Sequence, residues 1–214
     1  MSRVKPVKSE VNSPELSVLQ LGEGSNIKIR REDFVDRSVL ETVYTVDSSS
    51  KRRSTNYAGR FCREAEAAIS GRGGSEDMRA RFSTVFGELV PDIVNHASSG
   101  PLSMKVEAGK DEVVTSLKWV QPEPVDLKAI GENRQREWME LLSDPEDRYK
   151  KFTDHHEERS QKKHELGHIG GLGAGLFLSD ALSDNTLESH EVGKTEDGES
   201  IMTASYKIKR REEE

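Results

Sequence analysis

Leu102-Ser-Met-Lys-Val-Glu-Ala108, then Gly109-Lys-Asp111, then Glu112-Val-Val-Thr-Ser-Leu-Lys-Trp-Val120 is the stretch whose reading decides the fold. Apolar and polar residues alternate on both sides of a Gly-bearing turn. That is the period-two pattern of two half-buried strands joined as a hairpin. Leu117 and Trp119 share one strand face, with Val113 two pairs back. Pro122 and Pro124 end the second strand, because proline has no N–H to give to a ladder.

Working outward toward the N-terminus, the period changes. Tyr57, Phe61, Ala65, Ala68 and Ile69 recur at helical spacing, with Asn56 as a cap and Gly71 as a stop. A second helix over Glu76–Val90 is capped by Ser75 and buries Met78, Phe82, Val85, Phe86 and Leu89; Pro91 bends or ends it. The aromatic residues of both helices read as core. Upstream, Val39–Val46 is rich in β-branched residues and reads as a strand. Leu16–Leu21 and Ile27–Arg30 flank Gly22-Glu-Gly-Ser-Asn26 as a first hairpin.

Toward the C-terminus, Leu127–Leu142 is a helix with Leu127, Ile130, Trp138, Leu141 and Leu142 on its apolar side. Asp144-Pro145-Glu146 opens a further helix with a capping Asp and a first-turn Pro. It runs into a charged segment, 154–163, with no aliphatic residue. The glycines at 167, 170, 171, 173 and 175 stop it near His168. Residues 179–199 read as an acidic loop. Met202, Ala204, Tyr206 and Ile208 alternate as a last strand before the charged tail Lys207-Ile-Lys-Arg-Arg-Glu-Glu-Glu. The fold class is therefore α+β: a small sheet of hairpins packed with several helices, with mobile charged ends. The boundaries implied are an N-terminal arm (1–15), an α+β core domain (16–142), a charged helix (143–168), a Gly-rich and acidic loop region (169–199), and a terminal strand and tail (200–214).

Composition bounds the rest. Of 214 residues, 33% are hydrophobic and 33% charged, so a core forms but part of the chain lies outside it. A net charge of −7 excludes a uniformly basic nucleic-acid binder and leaves only local patches for such a role. One cysteine, Cys62, allows no internal disulfide, and the cytoplasm or another reducing intracellular compartment is the expectation. Arg60 and Arg63 beside it are expected to lower its pKa, but no His or Asp is placed by sequence to serve it, and the thiol reads as structural. Nothing at the start reads as a signal peptide, and no run approaches the roughly 20 apolar residues of a membrane span.

One stretch proposes specific chemistry. His164-Glu-Leu-Gly-His168 places two imidazoles one helical turn apart, where they can hold one Zn2+, with Glu165 beside a metal-bound water as general base. Through Ile169-Gly170-Gly171 it resembles the active-site helix of the metzincin metallopeptidases, with Gly171 at that family's turn, and Ser200-Ile-Met-Thr is similar to the family's Met-turn. The resemblance implies a zinc-dependent peptidase with His164 and His168 as ligands. Ala174 stands where the family has its third His, so Glu188, or alternatively His190, is the candidate third ligand.

The other candidate is Lys51-Arg52-Arg53, a basic triplet in the polar run Ser48–Asn56, suited to phosphate or an acidic partner. With the modest core and charged ends, it supports a non-enzymatic interaction or assembly protein that needs no cofactor and docks a protein partner or a second copy of itself. Small viral matrix- and nucleocapsid-type proteins have this general make-up. The zinc peptidase is the alternative from a different class.

Overall fold

In a computed structural model, residues 15–20, 26–142 and 187–211 are described, with single positions at 154, 157, 158 and 161. The chain order is β1 (Glu15–Gln20), β2 (Asn26–Asp33), β3 (Arg37–Val46), α1 (Lys51–Gly71), α2 (Glu76–His96), β4 (Gly100–Gly109), β5 (Glu112–Gln121), α3 (Leu127–Leu142), β6 (Glu188–Lys194) and β7 (Ser200–Lys209). The fold is α+β. Among the described residues, seven strands form one antiparallel sheet in the order β1-β2-β3-β4-β5-β7-β6.

The β4–β5 hairpin sits near the middle of the sheet, as its alternation predicts. Leu102, Met104, Val106 and Ala108 of β4 and Val113, Leu117 and Trp119 of β5 all point into the core. On the opposite face Glu41, Lys105 and Glu107 form an ion-paired row, with Lys105 Nζ 2.9 Å from Glu107. One face buried and one face wetted is the usual state of an antiparallel sheet.

Between the neighbouring strands β3 and β4 the chain inserts an α1–α2 hairpin that covers the core face, and the start of α3 adds Leu127 to the same core. α1 and α2 each have 21 residues, roughly 31 Å, about the length of a ten-residue strand. α1 therefore runs back along β3, and α2 returns to the point where β4 starts. The expected stripes are the buried ones: Phe61, Ala65, Ala68 and Ile69 from α1 meet Met78, Phe82, Val85, Phe86 and Leu89 from α2. Phe82, Phe86 and Phe61 stack in tilted pairs with centroids 5.5 and 6.0 Å apart.

Four expectations are corrected. The basic triplet is not in a loop: Asp47 caps a turn of 3-10 helix over Ser48–Ser50, and α1 starts directly at Lys51. The polar residues 51–55 hide the start because only Ser54 of that turn is buried, and it accepts from the Asp47 N–H at 3.3 Å. Pro91 does not end α2, which continues to His96. The carbonyl that Pro91 leaves without a donor belongs to Gly87, which is exposed, so water can satisfy it. Residues 188–194 are not loop: they form edge strand β6, paired with β7 across a bulge between Glu191 and Gly193. Last, the sheet does not close at 142. β7 pairs along the whole of β5, and Met202, Ala204, Tyr206 and Ile208 complete the core.

Tyr44 carries a buried hydroxyl with no hydrogen-bond partner among the described residues. Desolvation raises its phenol far above the ordinary value, and the ring packs edge-on to Tyr57 with centroids 5.4 Å apart. Tyr44→Phe keeps that contact and removes an unsatisfied group. It is expected to raise the unfolding free energy in urea by about 1 kcal/mol, and a loss of stability would show that the hydroxyl is bonded.

Candidate functional site

The first turn of α1 concentrates the basic candidates. Ser50 precedes it without a side-chain capping bond, and the turn holds no acidic residue. Arg52 and Arg53 are exposed. Lys51 is half-buried and its ammonium donates to the Asn95 carbonyl at 2.9 Å, near the end of α2. Lys51 therefore belongs partly to the fold, satisfying a carbonyl at a helix end, while the two arginines face outward. Hydrogen bonds from the Ser49 hydroxyl and amide, assisted by the Arg53 charge, hold the adjacent Asp47 carboxyl below its ordinary pKa. The Asp47 carboxylate is occupied with Ser49, its amide accepted at 2.9 Å. Cations at the positive end of a helix dipole repel it, and this arrangement attracts anions.

The zinc motif cannot be placed in the same way: His164, Glu165 and His168 lie outside the described residues. Glu188 and His190 are described, and both are exposed on edge strand β6. Register puts Glu188 opposite Ser205 and His190 opposite Thr203, on the wetted face of the sheet. Ser189, between them, faces the helical side. Its hydroxyl accepts from the Leu127 N–H at 2.9 Å and donates to the Val125 carbonyl at 3.2 Å, tying β6 to the start of α3. Among the described residues no three His, Cys, Asp or Glu side chains cluster closely enough to hold a metal ion.

Cys62 reverses the expectation for its pKa. It is buried in α1 at the floor of a groove of about 300 Å³ between α1 and α2, with Gly59, Ser83 and Gly87 alongside. Burial, and then the Glu66 charge, push the thiol up to about 12, outweighing a Ser83 hydrogen bond and the Arg63 charge. Such a thiol stays protonated and is a packing group, not a nucleophile. Among the described residues no helix is long and apolar enough to cross a membrane.

Compared with known proteins, the chain matches no family model and no curated protein sequence.

Proposed function

We propose that the chain is a non-enzymatic interaction protein that docks an anionic surface of a partner through the first turn of α1. The observation that supports this reading is the triplet Lys51-Arg52-Arg53 at a helix N-terminus with neither an acidic neighbour in the turn nor a capping side chain. The turn is electrostatically unfavourable alone and relieved when an anion approaches. The zinc-peptidase reading rests on the sequence of residues 164–168.

The test is Arg52→Glu/Arg53→Glu, with Lys51 kept because it bonds Asn95. Carboxylates at these positions complement the dipole, so the variant is expected to be equally stable or more stable, by roughly 0.3–1 kcal/mol per site. Partner capture or self-association, followed by light scattering and co-purification, is expected to fall, and wild-type binding is expected to weaken as salt is raised. A wild-type chain that is strictly monomeric and captures nothing would exclude the proposal.

A further inference from the structure

An α-helix turns about 100° per residue, so the faces of α1 follow from its numbering. Ser54, Phe61, Ala65, Ala68 and Ile69 make the buried face. Directly opposite lie Arg52, Arg53, Arg60 and Arg63, all within an arc of about 100° and spread over roughly 17 Å of the axis. Arg52, Arg53 and Arg63 are exposed and Arg60 is half-buried. The arc between them holds Asn56 and Ala67, both exposed, and no carboxylate. Glu64 and Glu66 are half-buried and border the arc, one on each side; Glu66 lines the α1–α2 groove beside Cys62.

These arginines differ from the rest of the fold. Those of β2, β3, α2 and the α1–α2 turn, with Arg210 after β7, each lie within 4 Å of a carboxylate. Among the described residues none of the four on α1 does. Glu64 stands four residues past Arg60 and Glu66 three past Arg63, spacings at which helix ion pairs form, yet neither pair is made. Arg60 and Arg63 are themselves three apart, where like charges repel.

The face also selects its occupant. The exposed large hydrophobic residues of the described chain are Phe34, Val35, Val43, Met139 and Val192, and none is on α1. A protein interface draws most of its energy from aromatic and apolar anchors at its centre. An interfacial helix enters lipid through bulky apolar side chains. Single-stranded nucleic acid is held by stacking on aromatic rings, and the two rings of α1 are engaged elsewhere: Phe61 is buried and Tyr57 packs against Tyr44. A duplex backbone needs none of these. Its phosphates accept guanidinium forks, and counterion release supplies the affinity.

We propose that α1 docks the phosphate backbone of a double-stranded nucleic acid, without regard to base sequence, along the face formed by Arg52, Arg53, Arg60 and Arg63. This rests on the reading of α1 as the docking element and names the class of its partner. The N-terminus of the helix, which has no side-chain cap, favours a phosphate at the same end.

The experiment is fluorescence anisotropy of labelled 20-base-pair DNA and RNA duplexes with the full-length chain over a range of salt. Affinity is expected to fall with salt at a log–log slope of about −3.6 for four phosphate contacts. Arg60→Gln/Arg63→Gln should weaken binding at least tenfold and halve the slope, and Arg52→Gln/Arg53→Gln should do the same. Both variants should keep or exceed the wild-type urea midpoint, because they remove unpaired like charges. Lys118→Gln, which removes an exposed charge from the wetted face of the sheet, should bind as the wild type does. No duplex binding at low salt, or binding indifferent to both arginine pairs, overturns the proposal. So does polyglutamate that competes as well as duplex at equal charge, or co-sedimentation with phosphatidylserine vesicles that Arg60→Gln/Arg63→Gln abolishes. Capture of a protein partner that is lost in Arg52→Glu/Arg53→Glu, with no duplex bound, overturns the nucleic-acid assignment and leaves α1 as a docking element.

Discussion

Trp119→Ala is expected to destabilise the chain by about 4 kcal/mol, the range of large aromatic truncations in a packed core. Trp119 lies at 1% exposure in β5, directly opposite Met202 of β7. Along this strand pair large residues face smaller ones: Val113 meets Ile208, Leu117 meets Ala204, and Trp119 meets the flexible Met202. Removal of the indole leaves a void that neither Ala204 nor the sheet backbone can fill. It also removes the donor to Gln121 Oε1, at 2.7 Å, and that amide is itself buried. Trp119→Phe separates the two contributions: it keeps most of the volume and loses the hydrogen bond, so it should cost about 1–2 kcal/mol. Urea unfolding followed by circular dichroism measures both. Domains of this size are stable by only about 5–15 kcal/mol, so the alanine variant should be partly unfolded at modest urea concentrations. A cost below about 1 kcal/mol, less than the smallest core truncations of this kind, would mean that the helical layer does not cover this face.

The elements that could be read from the residues are those that bury a local period. The alternation of 102–120 and the stripes Phe61-Ala65-Ala68 and Met78-Phe82-Val85-Phe86 are consequences of packing on one face, and each lies within one helix or one hairpin. What could not be read depends on distant chain or has no apolar face. β6, Glu188-Ser-His-Glu-Val-Gly-Lys, is an edge strand held by backbone bonds to β7 and by Ser189, so its side chains carry no period. The insertion of β7 between β5 and β6 is a pairing across some 80 residues of sequence that no local signal encodes. The basic triplet was visible as composition; its place at the start of α1 depends on Asp47 and Ser54, whose roles appear only in the folded turn. The ties that hold the far end of the sheet together were invisible, because Asp33, Ser38, Arg72, Asp111 and Arg210 come from β2, β3, the α1–α2 turn, the β4–β5 turn and the end of β7.

The turn between the two helices is where a single added methyl group should do most harm. α1 ends with the Arg72 N–H donating to Ala68, the Gly73 N–H to Ser70 at 3.0 Å, and the Gly74 N–H back to Ile69 at 2.9 Å. Gly73 has φ +77°, the left-handed conformation that closes such a helix end. Gly74 has an ordinary φ but no room: a Cβ there would lie 2.5 Å from Ile69 Cγ2 and 2.9 Å from the Ile69 carbonyl oxygen. Ile69 is fully buried and cannot turn away. Gly74→Ala must therefore push the α1–α2 turn off the end of α1, with an expected cost of about 2–3 kcal/mol. Gly73→Ala should cost about 1–2 kcal/mol, through its backbone conformation alone. Gly71→Ala, where a Cβ meets nothing within 4 Å, should be neutral or stabilising by up to about 1 kcal/mol. The order of the three urea midpoints is the test. If Gly74→Ala matches Gly71→Ala, the α1–α2 turn does not fold back onto Ile69, and the tie from Arg72 to Asp33 and Ser38 falls with it.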